Sequence, residues 1–200
     1  GQPRRLGVPG EDLRWVHGRY YEPYGHWGEH VAVIGGGNSA AEAALELWRN
    51  GARVTVVHRG AAMKSTVKYW VKPDIENRFA AGQIAVRFGT HVTAFRDGAL
   101  ELQGPEGADR LPVDAAYVLI GYTIDTELLR RCAVELDAAT LVPSHDPATC
   151  ESNVPGLYVA GTLQAGRDTG KIFIENSRDH GAKIVGHLLG RLRRPVETAV

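Results

Sequence analysis

Residues 31–40 read Val-Ala-Val-Ile-Gly-Gly-Gly-Asn-Ser-Ala, and this stretch determines the fold class. The apolar run 31–34 is typical of a buried strand, and residues 39–50, rich in Ala, Leu and Glu, are typical of a helix that Gly51 terminates. The β-branched run within 53–58 predicts a second strand. Strand, glycine turn, helix and strand in this order predict an α/β, Rossmann-like unit with a parallel sheet.

The glycine turn has the pattern G-x-G-x-x-A. Its first glycine allows a tight turn, its second lets the backbone approach a pyrophosphate, and its small last residue lets helix and strand pack closely. The pyrophosphate then lies against free N–H groups at the helix N-terminus. An ordinary βαβ glycine turn is the alternative interpretation. The residues predicted to bind a dinucleotide here are Gly35, Gly37, Asn38, Ser39 and Ala40.

The end of the second strand predicts which dinucleotide is bound. An NAD-specific unit carries an acidic residue there, which bonds the ribose 2′-hydroxyl. This chain has His58 and Arg59 instead, and Lys64 follows. A guanidinium and an ammonium would attract the 2′-phosphate, so these three residues predict NADPH rather than NADH. The alternative is a solvated basic loop.

The remainder of the chain continues the α/β pattern and adds an antiparallel meander. Residues 66–81 predict a helix that kinks at Pro73 or starts after it. Asp97-Gly98 between two alternating runs indicates a hairpin. Strands are predicted at 84–88, 91–96, 99–103, 110–113, 115–120 and 157–160, a short helix at 126–131, and the longest helix at 171–192.

The composition excludes several classes of protein. With 44% hydrophobic and 23% charged residues, the 200-residue chain is neither disordered nor a coiled coil. Basic and acidic residues number 23 each, so no overall basic field attracts nucleic acid or an anionic membrane. No apolar run approaches the roughly 20 residues of a membrane span, and none at the N-terminus resembles a secretion signal. A cytoplasmic location is therefore expected.

Four stretches, in this order, resemble the low-molecular-weight thioredoxin reductase group of flavoproteins. They are Leu-Gly-Val-Pro-Gly-Glu-Asp at 6–12, the glycine turn with its strand at 33–40, Val-His-Arg at 57–59, and Val-Pro-Gly-Leu-Tyr-Val-Ala-Gly at 154–161. Two more stretches are similar to the bacillithiol disulfide reductase family of NADPH-dependent FAD enzymes. These are Lys-Tyr-Trp-Val-Lys-Pro-Asp-Ile-Glu-Asn-Arg at 68–78 and Gly-Lys-Ile-Phe-Ile-Glu-Asn at 170–176.

The resemblance implies a division of the chain. Residues 1–28 would be the linker into the NADPH domain, 29–124 that domain, and 125–200 the C-terminal segment of a second, FAD-binding Rossmann-like domain. The other half of the FAD domain, with its own glycine loop, is expected to be missing from this chain. The implied reaction is hydride transfer from nicotinamide to flavin and electron transfer to a low-molecular-weight disulfide, in a homodimer.

The resemblance also assigns residues to the cofactors. Gly161 and Thr162 would follow the last FAD-domain strand, with threonine in place of the aspartate that bonds the ribityl chain. Lys171 and Ile172 would open the long helix at the flavin pyrimidine edge, where helix dipole and lysine stabilise negative charge. Gly121 and Tyr122 complete the predicted cofactor-binding set. The alternative for Lys171 is a lysine that simply starts a helix.

No catalytic or metal-binding residue is predicted. Thioredoxin reductases carry Cys-x-x-Cys upstream of the glycine loop, whereas residues 18–22 here contain no cysteine. Cys132 and Cys150 fit neither a redox pair nor a metal site, and the scattered histidines lack metal-ligand spacing. Two alternative functions stay open: a ferredoxin–NADP reductase-like flavin oxidoreductase, and a stand-alone nucleotide-binding sensor.

Overall fold

A computed structural model describes residues 1–192, which form two compact units. The larger is Pro3–Gly121, and the smaller combines Gly1–Gln2 with the chain from Tyr122 onward. Residues 193–200 of the predicted C-terminal segment lie outside the described part. The strands are β1 (Gln2–Pro3), β2 (Val16–His17), β3 (His30–Ile34), β4 (Arg53–Val57), β5 (Ala85–Arg87), β6 (His91–Arg96), β7 (Ala99–Gly104), β8 (Gly107–Pro112), β9 (Ala115–Val118) and β10 (Tyr122–Thr123). The helices are α1 (Asn38–Arg49), α2 (Lys72–Ala80), α3 (Glu127–Arg131), α4 (Ile174–Ser177) and α5 (His180–Leu192).

A five-stranded parallel sheet forms the centre of the larger unit, in the order β2-β9-β3-β4-β5. Alternate residues of β3 face opposite sides of the sheet, because side chains alternate along a strand. Val31 and Val33 pack with α1, whereas Ala32 and Ile34 pack with the meander residue Phe95. Both faces are covered, which explains why β3 is a continuous apolar run.

The antiparallel meander is the three-stranded sheet β6-β7-β8. Gly98, at φ +67°, makes the turn between β6 and β7, where Arg96 pairs with Ala99. A parallel sheet with an added antiparallel meander confirms the fold class predicted from the sequence.

Two sequence predictions for the larger unit need correction. The kinked helix over 66–81 is wrong, and the alternative start after Pro73 comes too late, because α2 begins at Lys72 with Pro73 in its first turn. Proline is tolerated there, since its missing N–H would have no acceptor in any case. Residues 1–28, which were expected to be a linker and for which no strand was predicted, contain β2 at the edge of the main sheet. Two residues are too few for a periodic signal, so only pairing with β9 reveals this strand.

The smaller unit has a smaller hydrophobic cluster than the larger unit. Its buried members are Ile124, Leu129 and Val134. The strand predicted at 157–160 is wrong: the backbone there forms only one isolated bridge, between Glu151 and Tyr158. A parallel strand requires long neighbouring strands, and the described part of this unit supplies none at that point.

The predicted long helix over 171–192 is also wrong, because it is interrupted. A 3₁₀ turn, Thr169–Lys171, is followed by α4 and then, after a break, by α5. The Asn176 side chain accepts the Phe173 N–H at 2.8 Å and donates to the Lys171 carbonyl at 2.8 Å. Such side-chain bonds compete with helical backbone bonds, so Phe173 stays extended.

Candidate nucleotide-binding site

The glycine loop between β3 and α1 is shaped by close backbone approach. Gly35 has φ +150°, and a Cβ there would lie 2.4 Å from the Leu119 carbonyl oxygen, so only glycine fits. The same Cβ would lie 3.0 Å from the Ala40 Cβ, and Ala40 is completely buried. The first glycine and the small last residue therefore bring helix and strand together as the motif predicts.

Gly37 has the opposite environment. A Cβ added at Gly37 would meet no protein atom within 4 Å, and φ is −103°, which any residue adopts. The second glycine of the motif thus leaves open space above the start of α1. A ligand can approach the backbone there without displacing any part of the protein.

The N-terminus of α1 carries an uncompensated positive end. Gly37 offers no capping side chain, and the first turn contains no acidic residue. The first intrahelical bond runs from the Ala41 N–H to the Gly37 carbonyl, so the N–H groups of Asn38, Ser39 and Ala40 precede the intrahelical ladder. Unpaired N–H groups and the helix dipole together favour an anion at this point.

Residues 59–71 fold back beside the glycine loop. The Lys64 N–H donates to the Gly36 carbonyl at 2.8 Å. Asn38 binds the same segment twice, accepting the Lys68 N–H at 2.8 Å and donating to the Thr66 carbonyl at 3.3 Å. The Asn38 side chain therefore holds this segment beside the glycine loop, a role that the motif alone does not indicate.

Two cations of this segment remain unpaired among residues 1–192. Lys68 of the segment pairs with Glu42 at 2.7 Å, and Lys72, which follows the segment, pairs with Glu76 at 3.8 Å. Arg59 and Lys64 are exposed, and neither makes an ion pair within the described part of the chain. The Lys64 N–H bond to the Gly36 carbonyl places Lys64 beside the glycine loop, and Arg59 directly follows His58, whose ring packs against Gly36. The charges of Arg59 and Lys64 are therefore available to an anion.

His58 lies beneath the loop rather than on its surface. Its side chain is 9% exposed and packs against Gly36 and Gly60. Burial lowers the pKa of His58, and the nearby charges of Lys64 and Arg59 lower it further. The ring is therefore neutral at neutral pH and does not add to the positive charge of Arg59 and Lys64.

The other predicted cofactor residues occupy turns. Gly121 has φ +105° and accepts the Arg4 N–H at 2.9 Å. The Tyr122 carbonyl accepts the Thr169 hydroxyl at 3.3 Å. The Gly161 N–H donates to His180 Nδ1 at 3.0 Å, so a buried histidine that sequence reasoning treated as structural holds this turn. Thr162 is exposed in the 3₁₀ turn that begins at Gly161.

The prediction for Lys171 needs correction. Lys171 ends a 3₁₀ turn and contacts Asp168 at 3.3 Å, whereas the long helix starts nine residues later at His180. The helix-dipole argument therefore does not apply to Lys171 or to the half-buried Ile172. Gly36, by contrast, is a close-contact residue of the loop that motif reasoning passed over, although a glycine between the two motif glycines was a visible signal.

Comparison with known proteins identifies the class. Residues 1–161 match the family model described as pyridine nucleotide-disulphide oxidoreductase. The chain belongs to this family.

Among its relatives, the chain is similar to bacilliredoxin reductase Bdr of Bacillus subtilis (strain 168). The two are 36% identical over 190 residues, which cover 94% of this chain and 59% of that protein. It is also similar in structure to bacillithiol disulfide reductase Bdr (YpdA) from Bacillus cereus, with a TM-score of 0.90 and 34% identity, over 95% of this chain and 59% of that one. These similarities confirm the resemblance inferred from the sequence motifs.

A second kind of relative is more distant. The ferredoxin–NADP reductase of Ignicoccus hospitalis is 31% identical over 169 residues, which cover 82% of this chain and 53% of that protein. The chain thus spans somewhat more than half the length of the curated relatives that it matches.

Within residues 1–192, no helix has both the length and the apolar character of a membrane span, and no cluster of His, Cys, Asp and Glu could hold a metal ion.

Proposed function

We propose that the larger unit binds NADPH, as part of an NADPH-dependent, FAD-containing disulfide reductase of the bacillithiol disulfide reductase type. One observation carries the proposal. The open space at Gly37 and the free N–H groups of residues 38–40 form a cradle at the start of α1, and the two unpaired cations Arg59 and Lys64 lie beside it. The name of the Bacillus cereus relative, bacillithiol disulfide reductase, supports a low-molecular-weight disulfide as the final electron acceptor.

The cradle and the two cations beside it would bind different parts of the nucleotide. The open face of Gly37 would admit the pyrophosphate to the N–H groups of Asn38 and Ser39. Arg59 and Lys64 would hold the 2′-phosphate, which distinguishes NADPH from NADH. These residues orient the nucleotide, while the nicotinamide supplies the hydride.

The described residues do not fit FAD in the same way. A flavin dinucleotide needs its own strand-to-helix cradle, and the described part of the smaller unit contains none, since 157–160 is not a strand and Lys171 does not begin a helix. FAD binding is therefore proposed for the whole reductase, through the predicted contacts at Gly161 and Thr162 together with residues outside this chain.

The proposed nucleotide specificity can be tested with one substitution and a matched control. Arg59→Ala should weaken NADPH binding by about 1.5 to 3 kcal/mol, the usual contribution of a hydrogen bond to a charged group, and leave NADH binding unchanged. Arg14 is likewise exposed in the larger unit and makes no ion pair within residues 1–192, so Arg14→Ala should change neither affinity. Calorimetry would contradict the proposal if Arg59→Ala weakened both nucleotides equally.

A second candidate function is a ferredoxin–NADP reductase-like flavin oxidoreductase, favoured by the similarity to the Ignicoccus protein. It requires the same nucleotide site but a protein electron acceptor. Assays of the full-length flavoprotein with a low-molecular-weight disulfide and with a ferredoxin would separate the two. Turnover with ferredoxin alone would favour the second candidate. The stand-alone sensor, the homodimer and the cytoplasmic location stay predictions.

A further inference from the structure

The His58 side chain fills a slot between two glycines. A Cβ on Gly36 would lie 2.4 Å from His58 Nε2, and a Cβ on Gly60 would lie 2.7 Å from the same atom. Neither glycine has the positive φ at which other residues are strained. The histidine ring, rather than the backbone conformation, is therefore what a side chain at either position would first meet.

The backbone around the slot is fixed on its inner side. The His58 N–H donates to the Arg87 carbonyl of β5 at 2.9 Å, and the Gly60 carbonyl accepts the Gly89 N–H at 3.0 Å. The Phe88 ring meets the His58 ring edge to face, with centroids 6.5 Å apart. The segment that begins at Arg59 is thus tied to the sheet on this side.

The ring also separates two parts of the candidate site. Gly36 belongs to the glycine loop, which would hold the pyrophosphate, and Gly60 directly follows Arg59, which would hold the 2′-phosphate. The Lys64 N–H bond to the Gly36 carbonyl joins the two segments. The His58 ring thus lies between two segments that are also connected by a backbone hydrogen bond.

The charged groups around the His58 ring favour its neutral form, which is consistent with a role as a spacer. Lys64 and Arg59 are the charged groups near the ring in its own segment, while the glycine loop and residues 88–90 contain no ionisable side chain. From β5, the Arg87 side chain lies 3.8 Å from Asp109. A charged imidazole between two cations is unfavourable, so a neutral, packed ring is the favoured state.

We propose that His58 is a positioning residue whose ring sets the distance between the glycine loop and the Arg59–Lys64 segment, and thereby the preference for a 2′-phosphorylated nucleotide. The inference rests on the proposed NADPH binding. It assigns to His58 an effect on nucleotide selectivity without direct contact with the nucleotide.

The first test compares a variant that removes the ring with one that keeps a ring. His58→Ala should let the Arg59–Lys64 segment approach the loop and lower the NADPH-to-NADH affinity ratio on the order of tenfold, as expected when one charge-assisted contact is lost. His58→Phe retains a planar spacer and should keep the ratio within about twofold, which is within the scatter of such contacts. An unchanged ratio in His58→Ala, or equal losses in both variants, would overturn the proposal.

A double-mutant cycle makes the test independent of nucleotide binding. Gly60→Ala should lower the unfolding midpoint strongly when the ring is present and much less in the His58→Ala background, because the new methyl group then has room. Additive effects would show that the ring does not fill the slot. If the parent chain binds neither nucleotide, the proposed function fails but the cycle still reports on the spacer. If the parent prefers NADPH and His58→Ala leaves that preference intact, only the present inference fails.

Discussion

Gly37→Val separates nucleotide binding from folding more cleanly than any other change in the glycine loop. The added side chain would enter space with no protein atom within 4 Å of its Cβ, at an unstrained φ of −103°. The expected loss of stability is limited to a poorer helix N-cap, about 1 kcal/mol. Gly35→Ala, in contrast, would collide with the Leu119 carbonyl and disturb the fold itself.

The effect on binding should be much larger than the effect on stability. Valine methyl groups would occupy the place where the pyrophosphate must approach the helix N–H groups. Losing two charge-assisted hydrogen bonds costs about 3 to 6 kcal/mol, which is a loss of more than about a hundredfold in affinity. NADPH and NADH should be affected equally, because both contain the pyrophosphate.

Calorimetry with each nucleotide measures this loss, and thermal unfolding followed by circular dichroism measures the stability. Gly25 provides the matched control, since it lies in the same unit, also faces open space and has no positive φ. Gly25→Val should bind both nucleotides like the parent chain. A folded Gly37→Val variant with unchanged NADPH affinity would refute the assignment of the cradle.

Two further predictions concern the flavin and pH. The 200-residue chain should purify without stoichiometric FAD and should not reduce a low-molecular-weight disulfide with NADPH. The reason is that its described residues contain a single glycine cradle. A flavin absorption peak that corresponds to about one flavin per chain would contradict this prediction. Burial lowers the pKa of His17, His30 and His58, so the unfolded chain binds more protons than the folded one below about pH 6.5. The free energy of unfolding should therefore fall as the pH drops through this range and level off below the folded-state pKa values. Thermal unfolding at a series of pH values measures this change, and melting temperatures that rise on acidification would exclude the explanation.

The sequence by itself determined the βαβ unit, the glycine loop and the meander, because each depends on local patterns. An apolar run before a glycine turn specifies the strand to within a few residues. Apolar residues at helical spacing specify the helix with similar precision. The nature of Gly35 and Ala40 follows in the same way, since a tight turn and close packing are needed wherever this motif occurs. The basic pair Arg59 and Lys64 was visible for the same reason.

Only the tertiary structure decided what depends on contacts between distant segments. That Asn38 brackets residues 66–68, and that His58 lies buried in a slot between Gly36 and Gly60, follows from the folding of residues 59–71 beside the loop. In the smaller unit, residues 157–160 have strand-like composition but no row of paired neighbours. A strand exists only through hydrogen bonds to partner strands, whereas the propensity of a single segment is local, and for that reason sequence patterns overstated this part of the molecule.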